Sequence, residues 1–313
     1  MKKIAYKSLQ LFLLSTLAYL ALVCVLNITS IRGRSMASWA TSYVQRIGEQ
    51  EWYTFRDLDS SATRYDFIAL GSSHAMHGYD PRLFRKHGYE LFNFGSSNQH
   101  SQISYMLAKY YLDREEKPTF LIDVYHAVYE GDDWESAFRY IANAPDTKAA
   151  WHVVRDHWDM RTLNAFVSRM FRNELNADMD CKRYVENGFC SNTDTIKIEL
   201  VALDPNPDLR QVHFDALDSL ITLVERRGSK VILVAHPMTN APEFGNVHQK
   251  FLQKLNPIIE KHNVPFIDHT LEKYLNDREH FYNQTHLNQA GIDIFNEKLF
   301  EEFAQRNLLP KKE

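Results

Sequence analysis

Five short runs rich in β-branched and aromatic residues limit this chain more than any other feature. They are YDFIAL (65–70), ELFNF (90–94), TFLIDVY (119–125), KVILVAH (230–236) and VPFIDH (264–269). Helical stripes separate them. Ile103, Met106, Leu107, Tyr110 and Tyr111 fall at i, i+3, i+4, i+7 and i+8 between the second and third runs. Leu217, Leu220, Ile221 and Val224 repeat the pattern before the fourth run, and Ile292, Phe295, Leu299 and Phe303 after the fifth. Such periods mark amphipathic helices. Strand, helix, strand, repeated, predicts a parallel sheet covered by helices on both faces. The expected architecture is therefore an α/β domain over 63–310 around a parallel five-stranded sheet. The step from the third run to the fourth is too long for one helix. Residues 127–207 are read as an insertion rich in Trp, Arg and Asp, mostly helical around 147–176, serving as a cap over the site or as a partner surface.

Lys2, Lys3 and Lys7 precede a charge-free run from Ser8 to Ile31 centred on LFLLSTLAYLALVCVL. As a helix this run measures about 36 Å at about 1.5 Å per residue, enough to cross a hydrocarbon core of about 30 Å. Residues 1–31 are read as a cytoplasmic tip and an uncleaved transmembrane signal anchor. A cleaved signal peptide is the competing reading; it wants a shorter apolar region ending in a small-x-small site, and nothing that clean precedes Asn27. The leading lysines favour a single-pass protein of the cytoplasmic membrane with its carboxyl-terminal domain outside the cytoplasm, although Arg32 and Arg34 on the far side pull against that orientation. Residues 32–62, polar with Trp39, Tyr43 and Trp52 interspersed, read as a stalk.

Composition closes off several functions. A net charge of -4 with no Lys/Arg run argues against a nucleic-acid partner. There are 11 Gly and no glycine-rich phosphate loop, so nucleotide chemistry is disfavoured and no cofactor is expected. A mean hydropathy of -0.41 excludes a polytopic membrane protein.

Ligands of open α/β sheets bind outside the carboxyl ends of the strands. Gly71-Ser72-Ser73-His74 follows the first run and Gly95-Ser96-Ser97-Asn98-Gln99 the second. Tyr125 and His126 close the third, His236 the fourth, and Phe281-Tyr282-Asn283-Gln284-Thr285-His286 precedes the last helical stripe. Two serine-glycine turns and a late histidine are ingredients of acyl transfer. A serine hydroxyl is a weak nucleophile that needs a neighbouring base and amide donors for the developing oxyanion. A strand-to-helix turn exposes the hydroxyl and leaves the first helical N–H groups without internal partners.

On these residues the chain resembles the SGNH/GDSL-type hydrolases. LGSSHAMHGYDP is similar to their first block, where Gly-Asp-Ser ends the first strand; FNFGSS is similar to the second, where Asn-x-Gly supplies an oxyanion amide; FYNQTHLNQAG is similar to the last, Asp-x-x-His before a helix. The resemblance spans about residues 64–303 without the insertion and implies a three-layer α/β/α, flavodoxin-like domain. With the amino-terminal anchor, the chain looks most like the extracytoplasmic branch that includes the D-alanyl transfer protein of teichoic acids and alginate-type acetyltransferases. The resemblance makes Ser73 the nucleophile, His286 the general base, and Gly95 with the Ser73 backbone the oxyanion site. Two positions depart from the pattern: Asn283 stands where the orienting Asp belongs, and Tyr125 and His126 stand where a third-block Asn is expected. Asn98 is a substitute oxyanion donor. Ser72, His74, Tyr125, His126 and His236 are candidate substrate contacts, and Ser72 becomes the nucleophile if the turn is offset by one residue.

His74 and His77 lie one helical turn apart, but no carboxylate or third histidine accompanies them at a recognised spacing, so no metal site is expected. Cys181 and Cys190 form a close pair that an oxidising compartment would allow to bridge; two unpaired thiols in a surface insertion are the alternative. The resulting expectation is a membrane-anchored serine O-acyltransferase or esterase acting on a cell-surface polysaccharide or acylated envelope polymer, with a membrane-bound O-acyltransferase as a further partner. The alternative is a catalytically inactive scaffold of the same fold that binds polymer or an assembly partner.

Overall fold

The computed structural model describes residues 2–31, 34–37, 50–60, 64–111, 117–132, 134–171, 183–197 and 199–311. The chain divides into two compact units, residues 1–49 with 137–180 and residues 50–136 with 181–313.

The larger unit carries the expected sheet. Its strands β1 (Phe67–Leu70), β2 (Leu91–Asn93), β3 (Thr119–Asp123), β4 (Lys230–Ala235) and β5 (Phe266–Asp268) are all parallel and run in the order β2-β1-β3-β4-β5. Each coincides with one of the five apolar runs, and the interior strands are buried along nearly their whole length. Side chains of a strand alternate between faces. Phe67, Ala69, Leu121, Ile232 and Val234 turn to one face and pack with Phe84, Phe295, Leu299 and Phe303. That layer holds α3 (Ser73–Gly78), α4 (Pro81–Lys86) and α11 (Gln289–Gln305). A second layer contains α5 (Ser101–Tyr111), α9 (Gln211–Arg226) and α10 (Phe244–His262), with α9 packed closely on α5 and in contact with α10. The α5, α9 and α11 stripes are those visible in the sequence.

Residues 50–60, within the stretch read as a stalk, form α2 (Gln50–Ser60), in the same unit as the sheet. Buried Phe55 and Leu58 explain its packing, and the buried Gln50 amide donates to the carbonyls of Gly95 (3.0 Å) and Gly188 (2.8 Å). The end of the insertion returns to the sheet edge: the Asn93 N–H donates to the Asn187 carbonyl at 2.9 Å, and the Cys190 N–H to the Met76 carbonyl at 3.1 Å.

The smaller unit contains α1 (Lys2–Ile28), part of α6 (Trp134–Asn143), α7 (Thr147–Asp156) and α8 (Met160–Arg169). Among the described residues α1 is the one helix long and apolar enough to cross a membrane, with a mean hydropathy of 2.3 over its most apolar window. Cys181 lies outside the described residues.

Candidate active site

The strand order reverses at β1: the chain passes from β1 to β2 on one side, then returns to place β3 on the other. Crevices at such switch points bind ligands. Gly71-Ser72-Ser73 leaves β1 there, and Asp123 ends β3 beside it.

Ser72 is the N-cap of α3. Its backbone is extended, and its hydroxyl oxygen accepts from the His74 N–H at 3.2 Å. Ser73 is the first helical residue, and its amide is one of those that a helix cannot satisfy internally. Ser73 Oγ lies 2.6 Å from His286 Nε2. A narrow loop holds His286: Phe281 and Leu287 form an antiparallel bridge, and the Tyr282 N–H donates to the His286 carbonyl at 3.0 Å. Asn288 then caps α11, its side chain accepting from the Gly291 N–H at 3.1 Å.

Asn283 organises this loop. Its Oδ1 accepts from the backbone N–H groups of Thr285 (3.0 Å) and His286 (2.9 Å) and lies 3.0 Å from His286 Nδ1. Thr285 Oγ1 is 2.9 Å from the same nitrogen. A carboxamide oxygen can only accept, so Nδ1 carries the proton and Nε2 presents its lone pair to Ser73. The tautomer is the one a general base needs, without a negative charge to stabilise the imidazolium. Burial, reinforced by the His74, His77 and His236 rings, holds His286 well below the usual histidine range. The His286 ring stacks on His74, with centroids 4.5 Å apart and planes 10° from parallel.

Beneath the Ser72-Ser73 turn lies a carboxylate that the sequence reading passed over. Asp123 Oδ2 accepts from the Ser72 hydroxyl at 2.9 Å and faces the Ser72 N–H at 3.4 Å; its Oδ1 accepts from His236 Nδ1 at 2.8 Å. Burial alone would raise its pKa. The bond and charge of His236, with His74 and Ser72, outweigh burial and hold the carboxyl below its ordinary value. Gly71 belongs to the same construction: its φ is +145°, and a Cβ there would stand 2.5 Å from the Asp123 Cβ.

Several candidate residues occupy other roles. Ser72, 1% exposed, directs its hydroxyl into the fold, which removes it as a nucleophile or substrate contact in this geometry. His74 is buried, and its Nε2 donates to the Thr285 carbonyl at 2.6 Å; His77 Nδ1 donates to the Cys190 carbonyl at 2.6 Å. His126 and His236 are buried and, with His74, Tyr125, Met238 and His248, line a small cavity. Tyr125 also packs edge-on against His74 at 4.1 Å.

The Gly95 amide departs from its expected place. Its N–H donates to Asn93 Oδ1 at 2.8 Å, because the Asn93 NH2 is tied to the Ala75 (2.7 Å) and Tyr79 (3.1 Å) carbonyls and this turns the oxygen back on the loop. Gly95 is needed for packing instead: a Cβ would stand 2.4 Å from the Met76 nitrogen and 2.9 Å from the Ala75 carbonyl carbon. Gly95→Ala is expected to lose about 1–3 kcal/mol of stability through overpacking against the turn that carries Ser73. Denaturant unfolding reads this directly, and a variant as stable as the wild type would contradict it. Asn98 lies on the same loop, half-buried, at a left-handed φ of 50° that asparagine tolerates.

The buried histidines also fix an acid sensitivity. Burial outweighs the pull of Asp123 and lowers His74 to about 4; burial likewise lowers His77 to about 4 and His126 to about 3. Below the ordinary histidine range the unfolded chain binds these protons and the folded chain does not. Stability is therefore complete above about pH 6.5 and falls as the pH drops towards 4, by on the order of 2–3 kcal/mol for each fully buried ring. Thermal melts at pH 7.5, 5.5 and 4.5 should show a steadily falling midpoint; equal midpoints at 7.5 and 4.5 would contradict the assignment.

No family model matches the chain, and no curated protein matches it significantly. Solved structures of similar chain path include a GDSL-like lipase from Bacteroides thetaiotaomicron, 12% identical, with a TM-score of 0.41 over 83% of this chain and 98% of that one. Another is AlinE4, a SGNH-hydrolase family esterase, 14% identical, with a TM-score of 0.35 over 80% of this chain and 100% of that one. At these identities and scores the likeness carries nothing to the site.

Proposed function

We propose that the larger unit is a serine acyl-transfer domain, held outside the cytoplasm by α1, that moves or removes an O-acyl group on a cell-surface polysaccharide or acylated envelope polymer. The observation that carries the chemistry is Ser73 Oγ at 2.6 Å from a histidine nitrogen whose ring is oriented from behind by Asn283. Ser73 attacks the acyl carbonyl while its proton passes to His286 Nε2. The oxyanion meets the Ser73 amide at the start of α3, with Asn98 on the adjoining loop as a second donor. Collapse breaks the acyl–oxygen bond, and the leaving alkoxide takes the proton from Nε2. A sugar hydroxyl or water then gives its proton to Nε2 and attacks the acyl-serine; the acyl–Oγ bond breaks and Ser73 Oγ takes the proton back from Nε2. With a sugar the enzyme is an O-acyltransferase, with water an esterase. A membrane-bound O-acyltransferase is the class of partner that would supply the acyl group to such a site.

A neutral Asn283 and an engaged Gly95 amide favour one second reading: an inactive scaffold that holds polymer or an assembly partner. Asn283→Asp separates the two. The carboxylate would keep the backbone bonds of the loop and add charge beside the imidazolium, so p-nitrophenyl acetate turnover by the full chain should rise at least about tenfold. Because the His286 pKa lies below the usual range, the acid limb of wild-type turnover should fall below about pH 6.5, and this substitution should move it upward. No turnover by either protein, both folded, supports the scaffold.

A further inference from the structure

In the smaller unit, α8 has two unlike faces. Thr162, Ala165 and Ser168 are buried, as are Ala150, Val153 and Val154 on its neighbour α7. The opposite stripe is Met160, Leu163, Val167, Met170 and Phe171, at i, i+3, i+7, i+10 and i+11. Met160, Met170 and Phe171 are 55%, 66% and 41% exposed, and Trp158 beside them is 65% exposed. An apolar surface of this kind on a folded chain marks a contact with something.

The occupant is indicated by what the stripe adjoins. Asn164, at i+4 from Met160, lies on the same side of α8, and its carboxamide oxygen accepts from the Tyr19 hydroxyl of α1. Tyr19 is nine residues before the end of α1 at Ile28, about 14 Å along the axis at about 1.5 Å per residue. The stripe is thus continuous with α1, a helix apolar enough to span a bilayer, at a depth below that helix's outer end. The described arginines around it are matched, as an apolar medium requires. Arg161 pairs with Asp159 at 3.1 Å and Arg155 with Asp156 at 2.8 Å, while Arg169 donates to the carbonyls of Ile141 (3.1 Å), Ala142 (2.7 Å) and Ala144 (2.7 Å). Trp151 and Trp158 add the aromatic character typical of a membrane interface.

We propose that residues 151–171 are an interfacial membrane-binding element. The α8 stripe lies among the lipid acyl chains of the outer leaflet beside α1, with Trp151 and Trp158 at the headgroup boundary. The inference rests on α1 spanning the membrane and not on the Ser73 chemistry. It is tested with the full chain in vesicles of phosphatidylethanolamine and phosphatidylglycerol carrying bromine at shallow or deep acyl positions. Shallow bromine should quench tryptophan emission more than deep bromine, and W151F/W158F should lose at least about half of that quenching. Met170→Glu should weaken it as well. Unchanged quenching in the double variant, with the chain retained after an alkaline carbonate wash, overturns the proposal alone; release by carbonate overturns the anchor and the proposal together. A detergent dimer that Met170→Glu turns into monomer gives the stripe to a second copy and overturns it too. Ester turnover in detergent is independent of every one of these outcomes.

Discussion

Asp123→Asn should destabilise the larger unit by about 2–3 kcal/mol, the cost of leaving buried hydrogen-bonding groups around a fully bonded carboxylate unmatched. The side chain sits at the end of β3 with donors on both oxygens, the Ser72 hydroxyl and N–H on one and His236 Nδ1 on the other. A carboxamide must turn its NH2 towards one of those donors, and an unmatched buried donor is costly by itself. Relief by movement is blocked, since Gly71 already brings the β1 turn against the Asp123 Cβ. Ser72 caps α3, so loss of the carboxylate also frees the turn that aims Ser73. Urea unfolding measures the stability change, and ester turnover by the folded fraction measures the aim. A variant within about 1 kcal/mol of wild type would show that the carboxylate is not a buried keystone of the turn. His236→Gln, which keeps a donor, should be milder than His236→Phe.

The sheet was readable because its signal is redundant. Each strand is a compact apolar run, and α5, α9 and α11 carry their burial in a regular period. The strand ends were readable for the same reason: polar residues that stop an apolar run lie at the carboxyl ends of the strands, which brought Ser73 into view, while the loop of His286 was marked by its place before the last helical stripe. Asp123 escaped notice because it stands inside a run, between Ile122 and Val124, where only tertiary contacts reveal that its oxygens are fully matched. A lone acid at the end of an otherwise apolar central strand was the available signal. The direction of the Gly95 amide was not readable, since the bonds of the Asn93 side chain to two carbonyls of the neighbouring turn decide it. Helix α2 was hidden by Glu51, Arg56 and Asp57, whose charges resemble a polar stalk, while its attachment depends on tertiary contacts of Phe55, Leu58, Asp57 and the Gln50 amide.

The largest effect on chemistry is expected from Ser73 and His286. Ser73→Ala removes the oxygen that attacks in the proposed reaction, and His286→Ala removes the imidazole nitrogen that lies 2.6 Å from it. Either loss should reduce ester turnover by about a thousandfold or more, and the double variant little further, because the two groups act as one unit. The ceiling is lower than in sites with an aspartate behind the histidine, since Asn283 orients the ring but adds no charge. Ser72→Ala should lower turnover by weakening the cap and the Asp123 contact without abolishing it. The most direct test is labelling of the full chain with a fluorophosphonate probe, followed by mapping of the modified residue. The account predicts that wild type is labelled at Ser73, that Ser73→Ala and His286→Ala are not, and that Ser72→Ala still is. Labelling that persists in Ser73→Ala, or a folded wild-type chain that takes no label, would contradict it.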